Sequence, residues 1–439
     1  MKSFSSGREA RFATFLAALA YAALSSANIE AQAPMARTVT LAEVYDLAAR
    51  SPRVAAASAL ATAAEARVAS AKRPPDPELQ VGLMNRSMPS LEPMELLGMT
   101  QVQLMQMVPT PGKLRLAGRI AAARADAAGA RAGEIEWEVR ARAAMAFYDL
   151  FSAGEQLDIA QKTKLLVEDI ARVSRSMYSV GDGRQSDVLR AQVEVARMSE
   201  DIVRMQGMRA AMAGRLASII DLPADTSLEA APPPRLPETL LSLAELISES
   251  ERNRLMITAG EREVNATDAE VQLARKEIWP DFQIGLQYAW RGGPMGTERM
   301  GSLMIGATLP VFARSRQLSM RREAGAMRAM ASADVAAMRA ETRGRMTELY
   351  ADFTRAGNLV RLYRTTILPQ AEGAVTASFS AYRVGSVDLM TLLDNQMAVN
   401  RYRQELVSLE AGAGTALAEM EMLLARELFD ASEKGRIEQ

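Results

Sequence analysis

Over most of this chain apolar residues recur at spacings of three, four, seven and eight, the signature of a buried stripe along a helix. In two places the period drops to two. In the clearer one, Phe282, Ile284, Leu286, Tyr288 and Trp290 alternate with Asp281, Gln283, Gly285, Gln287 and Ala289. After a loop at 291–296, Leu303, Ile305, Ala307 and Leu309 alternate with Ser302, Met304, Gly306 and Thr308. The pattern predicts a hairpin with one apolar and one polar face. The other place repeats it more weakly: Leu79, Val81 and Leu83 lead out, and Val102, Leu104 and Val108 return, with Gln106 interrupting the apolar face. Each returning strand ends in a proline-bearing switch into helix, at 109–113 and 309–314.

Helical patterns surround the hairpins. One runs from Leu41 to about Arg73, where Pro74, Pro75 and Pro77 stop it. From Lys113 to Met177 no proline intervenes over some 65 residues, enough for a helix of roughly 100 Å. Ile120, Ala127, Ile135, Val139, Ile159, Leu166, Ile170, Val173 and Met177 form its expected seam. A counterpart covers 313–381, with Leu349, Phe353, Val360, Tyr363 and Ile367 on its seam and Pro369 as the expected kink. Shorter helices follow, from Ser186 to about Ile220 and from Leu389 to about Leu428.

These elements occur twice because the chain is an internal tandem duplication. Tyr178, Val180, Gly181, Leu189 and Gln192 fall on Tyr382, Val384, Gly385, Leu393 and Gln396 at one constant offset. Leu79 to Leu83 answers to Phe282 to Leu286, and Tyr148, Phe151 and Leu157 answer to Tyr350, Phe353 and Leu359. Two copies of one supersecondary unit follow. They are expected at 34–220 and 241–430, joined by a Pro-rich linker at 221–240 and followed by a polar tail at 431–439. The glycine-containing break between the long and the short helix of each copy reads as the tip of a helical hairpin.

Composition narrows the chemistry. The chain of 439 residues has no cysteine and no histidine. Disulfides, thiolate or imidazole metal sites, and Ser-His or Cys-His catalysis are excluded. Lys plus Arg number 52 against 53 Asp plus Glu, so no excess charge points to nucleic acid. The first 33 residues read as an export signal: Lys2, Arg8 and Arg11 precede an apolar run from Phe12 to Ala23, with small-residue cleavage sites after 27 or 33. An exported chain with four one-sided strands cannot seal itself in a bilayer, because unpaired strand edges are not tolerated in hydrocarbon. Closure needs other subunits, and the helices must continue from the barrel into the periplasm. The expected fold class is therefore mixed α and β: a long α-helical coiled-coil barrel joined to an oligomeric membrane β-barrel.

The duplicated order, the Pro111–Lys113 turn and the paired Tyr-x-Val-Gly tips make the chain similar to the TolC-like outer-membrane efflux family, from about Leu41 to Leu428. The Pro-Gly-Lys turn also resembles that of its heavy-metal, CusC- and CzcC-like branch. The resemblance implies a homotrimer with four strands per subunit in a twelve-stranded barrel. It also implies an outer-membrane location reaching into the periplasm of a Gram-negative bacterium, and partners in a periplasmic adaptor and an inner-membrane efflux pump. Outer-membrane lipid is the surrounding phase; no cofactor, enzymatic activity or nucleic-acid partner is implied. The expected role is a passive exit duct for heavy-metal cations, or alternatively for drugs or a secreted polypeptide. A periplasmic adaptor or structural coiled coil is the reading from another class. It accounts for the helices but not for two matched alternating hairpins.

The resemblance also directs attention to the tips. In the family, acidic residues lie six and nine positions after the second-tip glycine; here these positions hold Thr391 and Asp394. Asp394, with Asp187 or Asp388, is the candidate periplasmic gate, since three-fold symmetry turns one carboxylate into a ring of three. Val180, Gly181, Val384 and Gly385 are the candidate adaptor-docking tips. Finally, Met84, Met88, Met94, Met99, Met105 and Met107 cluster around the first hairpin. Thioethers suit soft cations such as Cu(I), and they also serve as adaptable packing.

Overall fold

A computed structural model describes residues 37–94, 98–223, 226–237, 239–293 and 296–428. The expected export signal and polar tail lie outside the described residues. Strand β1 (Arg37–Val39) leads into helix α1 (Leu41–Ala49), capped by Thr40, whose hydroxyl accepts from the Glu43 N–H. The helical pattern expected to run unbroken from Leu41 is split, because Pro52 cannot donate to the preceding turn and so begins a new helix, α2 (Pro52–Ala71). Strands β2 (Glu78–Met84) and β3 (Met99–Val108) follow, then α3 (Lys113–Ser179), a single helix of 67 residues. Helix α4 (Gln185–Ile219) returns. Strand β4 (Leu228–Ala230), inside the segment read as linker, pairs in parallel with β1.

The second copy repeats this order. Helices α5 (Leu243–Asn253) and α6 (Leu255–Lys276) precede β5 (Phe282–Gly293) and β6 (Gly296–Ala307). The long second-copy helix begins at Gln317, after turns over 311–316, as α7 (Gln317–Leu362). A π-helical segment over Tyr363–Ile367 then passes into α8 (Leu368–Arg383), with Pro369 in its first turn. The expected kink thus takes the form of a widened turn, because Pro369 removes one N–H from the ladder. Helix α9 (Leu389–Leu424) closes the copy.

One four-stranded antiparallel sheet, in the order β2-β3-β5-β6, joins the two hairpins. Its register sets Leu79, Leu104, Leu286 and Leu303 in one row and Gln80, Gln103, Gln287 and Ser302 in the next. The alternation read from sequence therefore becomes an apolar face and a polar face running across both copies. Strands β2 and β6 are left as open edges.

Side by side, α3 packs against α2, α4, α6 and α9, and α7 against α6 and α9. The seam is mostly as expected: Ile120, Ala127, Val139, Ile159 and Ile170 are buried, as are Leu349 and Phe353. Leu166 is an exception, exposed while Val167 is buried. Spacings of four from Ile159 through Thr163 to Val167 carry the stripe, so a seven-residue step lands one position early. Near mid-length a core of Val44, Ala143, Phe147, Tyr148, Leu150 and Leu216 forms where α1, α3, α4 and the β1–β4 ribbon meet. Gly414 of α9 lies directly against the Tyr148 ring. A buried polar tie crosses the helices: the Glu134 carboxylate accepts from Arg254 Nε at 3.2 Å and from the Met256 N–H at 3.0 Å, while Arg254 Nη1 donates to Thr342 Oγ1 at 2.7 Å. It links α3, the start of α6 and α7, and an anion at a helix N-terminus is favourable.

Candidate functional site: hairpin tips and strand wall

The two tips are built alike. Gly181 (φ +89°) and Gly385 (φ +71°) occupy the left-handed region that glycine adopts without penalty. In the first tip the Gly181 N–H donates to Tyr178 O and the Asp182 N–H to Met177 O; in the second, Gly385 donates to Tyr382 O and Ser386 to Ala381 O. Both are Schellman closures, which satisfy the last carbonyls of the long helices. The residues just before the glycines project into solvent: Val180 is 71% exposed and Val384 78%. Two aliphatic knobs on rigid turns are thereby presented at one end of the molecule.

The three candidate carboxylates differ in what they do locally. Asp388 is the N-cap of α9, accepting from the Thr391 N–H at 3.0 Å and the Thr391 hydroxyl at 2.6 Å. The Thr391 hydroxyl and backbone N–H hold its carboxyl below the usual carboxylate range, with Arg184 of the other tip adding a smaller attraction. So Thr391, which stands where the family carries an acidic residue, serves the cap. Asp187 is half-buried in the first turn of α4, where the helix dipole favours it. Asp394 lies on the exposed face of α9, opposite the buried Leu389, Leu392, Leu393 and Gln396. Among the described residues, no basic side chain forms an ion pair with it. The structure brings Asp388 near Arg184, a neighbour not anticipated from sequence because it belongs to the other copy, and leaves Asp394 free to project.

At the opposite end, the sheet and its helical junctions form the second functional feature. The apolar face carries Leu79, Val81, Phe282, Ile284, Leu286, Tyr288, Leu303 and Ile305, all exposed in the subunit. The polar face carries the glutamine row and also Met84, Met99, Met105, Met107, Met300 and Met304. Met105 and Met304 both reach over Gly285: a Cβ placed there would meet Met304 Cε at 3.4 Å and Met105 Cγ at 3.6 Å. Met88 and Met94 lie in the β2–β3 connection, away from these strands. Among the described residues, no group of His, Cys, Asp or Glu has metal-site geometry, and no helix is long and apolar enough to cross a membrane.

Lys113, the last residue of the Pro-Gly-Lys turn, locks strand to helix. Its side chain is 7% exposed, and its Nζ donates to Asp281 Oδ2 at 3.0 Å, Trp279 O at 3.1 Å and Glu277 Oε2 at 3.4 Å. Asp281 also accepts from the Thr110 N–H at 2.8 Å, and Lys276 Nζ donates to Pro111 O at 3.1 Å. The β3–α3 junction of the first copy is thus fastened to the α6–β5 junction of the second. The motif was visible in sequence, but its partners lie more than 160 residues away.

No curated protein matches the chain. Among solved structures the chain resembles the CusC channel (14% identity, 88% of this chain and 91% of that one, TM-score 0.74). It also resembles the outer membrane protein VceC of Vibrio cholerae (16%, 89% and 97%, 0.74) and a membrane protein from Pseudomonas aeruginosa (17%, 88% and 93%, 0.76). At such identities these likenesses speak to fold. The model of the outer membrane efflux protein family matches residues 44–220 and 246–426, one segment in each copy. With most of its length covered, the chain belongs to the outer membrane efflux protein family, a non-enzymatic channel of the Gram-negative outer membrane.

Proposed function

We propose that this protein is the passive exit duct of a tripartite efflux assembly, working as a homotrimer whose tips meet a periplasmic adaptor coupled to an inner-membrane pump. The observation that carries the reading is the four-stranded sheet with one continuous apolar face and two open edges. Such a sheet is stable in lipid only when copies close it into a barrel. Three copies give twelve strands, with the glutamine row facing the lumen and the helices extending the wall. Val180–Gly181 and Val384–Gly385 are the docking points, and Asp394, backed by Asp187 and Asp388, lines the constricted entrance. Energy comes from the pump, since a member of the outer membrane efflux protein family is itself a non-enzymatic channel. The test is light scattering of the purified protein together with planar-bilayer conductance. A trimer with a low-conductance resting state supports the reading, and a monomer without conductance refutes it.

A narrower reading of cargo is favoured by the methionines. Six methionines share the polar face, which this reading turns toward the lumen, and thioethers suit soft metal cations. Growth of a deletion strain on graded copper and silver, beside dyes and antibiotics, tests this. Sensitivity confined to metals supports the metal reading; sensitivity confined to drugs refutes it and leaves the duct intact.

A further inference from the structure

Residues that face each other across paired strands share one face of a sheet, so Glu78, Met105, Gly285 and Met304 form a single row on the polar face. That row has no side chain on β5. Gly285 is nevertheless buried, and the methionines on either side fold over it. Their backbones stand two strand spacings apart, about 9.5 Å, yet a Cβ placed on Gly285 would meet Met304 Cε at 3.4 Å and Met105 Cγ at 3.6 Å. Each of these carbons is bonded to its sulfur, so both thioethers border the same space above a bare backbone. The space is reached from the polar side: Met304 is 38% exposed and Met105 half-buried. Glu78, exposed at the edge of β2, stands beside Met105 in the row, and among the described residues no basic side chain forms an ion pair with it.

We propose that Met105 and Met304, with the Glu78 carboxylate as counter-charge, form a binding site for a monovalent soft cation, Cu(I) or Ag(I), over Gly285. This rests on the reading of the polar face as lumen and of soft cations as cargo, and it names the place where the ion is held. Two neutral thioethers supply soft donors, and one carboxylate balances a single positive charge; a harder divalent ion would find too few oxygens. Thioethers also bind without first losing a proton, as thiols and imidazolium must. A second pair of facing thioethers, Met84 and Met99, lacks this electrostatic support. The next residue in its row is Arg291, itself paired with Glu298, so a cation there meets a guanidinium. Single thioethers flank the proposed site along the strands. Met107 lies one same-face step toward the helices, and Met300 lies beyond the glutamine row. Each same-face step is about 7 Å, so the ion has a donor to reach from and one to leave for.

Because the chain has no cysteine and no histidine, silver binding can be assigned to thioethers without competition from stronger soft ligands. The purified full chain is titrated with silver nitrate in chloride-free buffer and followed by calorimetry, with Met105→Leu/Met304→Leu and Met84→Leu/Met99→Leu alongside. Leucine keeps the volume and removes the sulfur. The wild type and the Met84→Leu/Met99→Leu protein should take up a first equivalent of silver per subunit, and Met105→Leu/Met304→Leu should lose it; Glu78→Gln should weaken it, and zinc nitrate should not compete. In the wild-type protein carrying labelled methionine methyl groups, the Met105 and Met304 resonances should be the first to shift. Unchanged binding by Met105→Leu/Met304→Leu, loss in Met84→Leu/Met99→Leu instead, or equal displacement by zinc overturns the site. The cargo reading fails separately: a deletion strain sensitive only to drugs removes it and keeps a site that the calorimetry shows, while metal sensitivity with unchanged binding by Met105→Leu/Met304→Leu keeps the cargo and removes the site.

Discussion

Lys113→Met deletes an ammonium while keeping a stem of similar length, and its cost can be worked from the contacts. Three donor bonds vanish, two of them to carboxylates. Orphaning a fully buried charge costs about 3–5 kcal/mol. Here the side chains of Asp281 and Glu277 remain 26% and 33% exposed, so water recovers much of that, and Asp281 keeps the Thr110 N–H. About 2 kcal/mol per subunit remains, chiefly from Asp281 and the Trp279 carbonyl. An unfolding entropy of about 2.1 cal/mol/K per residue over a chain of this length turns this into a fall of about 2–3 °C in the melting midpoint. The assay is the temperature at which the purified assembly loses its native gel mobility, with Asp281→Asn and the double variant alongside. Coupling between the two sites should be about 1–2 kcal/mol. Melting of Lys113→Met at the wild-type temperature, or strict additivity, would show that the turn is not held by this bond.

Other outcomes follow from particular contacts. Gly414→Ala would place a Cβ 2.3 Å from the Tyr148 ring, and that ring is fully enclosed; destabilisation of about 1–3 kcal/mol or more is expected, read by thermal melting, and a neutral result would mean that α9 shifts freely at this point. Gly385→Ala must hold a left-handed backbone in open space, costing about 1 kcal/mol in the tip alone; increased proteolysis or amide exchange confined to 380–390 is the readout, and unchanged exchange there contradicts it. For Asp388, whose folded pKa is depressed, the cap's contribution is fully present above the unfolded carboxylate range and is lost as pH falls through the lower folded value. Thr391 amide protection should therefore hold from pH 7 to about 4 and fall only in stronger acid; loss of protection between pH 7 and 5 would refute this sign. Asp394→Ala should raise resting conductance in planar bilayers, and unchanged conductance would remove Asp394 from the gate.

Much of the fold was legible because its periods are long and regular. The β5–β6 alternation becomes two 12-residue strands, which extend into the segment read as a loop at 291–296 and stop short of Leu309, and the absence of proline between Lys113 and Met177 gave α3 almost to its last residue. The misses have local causes. Pro52 breaks a pattern whose apolar stripe continues across the break, so periodicity alone cannot see it. Leu166 was placed on the seam by a seven-residue step that an untwisted helix does not keep. At the tips, the glycines were legible because few other residues tolerate positive φ. The use of Thr391 and Asp388 as a cap was hidden behind an expectation of charge. The roles of Glu134 and Lys113 depend on partners more than a hundred residues away, which no local pattern encodes.

The π-helical segment at Tyr363–Ile367 has a consequence for how the repeat has been edited. Tyr148 and Tyr350 are 202 residues apart, and so are Leu157 and Leu359, whereas Tyr178 and Tyr382 are 204 apart. Two residues have therefore been gained in the second copy between these landmarks. Left in an ordinary helix, they would turn everything beyond them by roughly 200° and aim the tip away from its partner. The widened turn lies within that interval and winds more slowly, taking up about one residue of the surplus as circumference instead of rotation. Beyond it Ser378 and Tyr382 are buried. The segment thus offsets about half of that rotation, and shortening it by one residue should misdirect the second tip while leaving the helix above it intact.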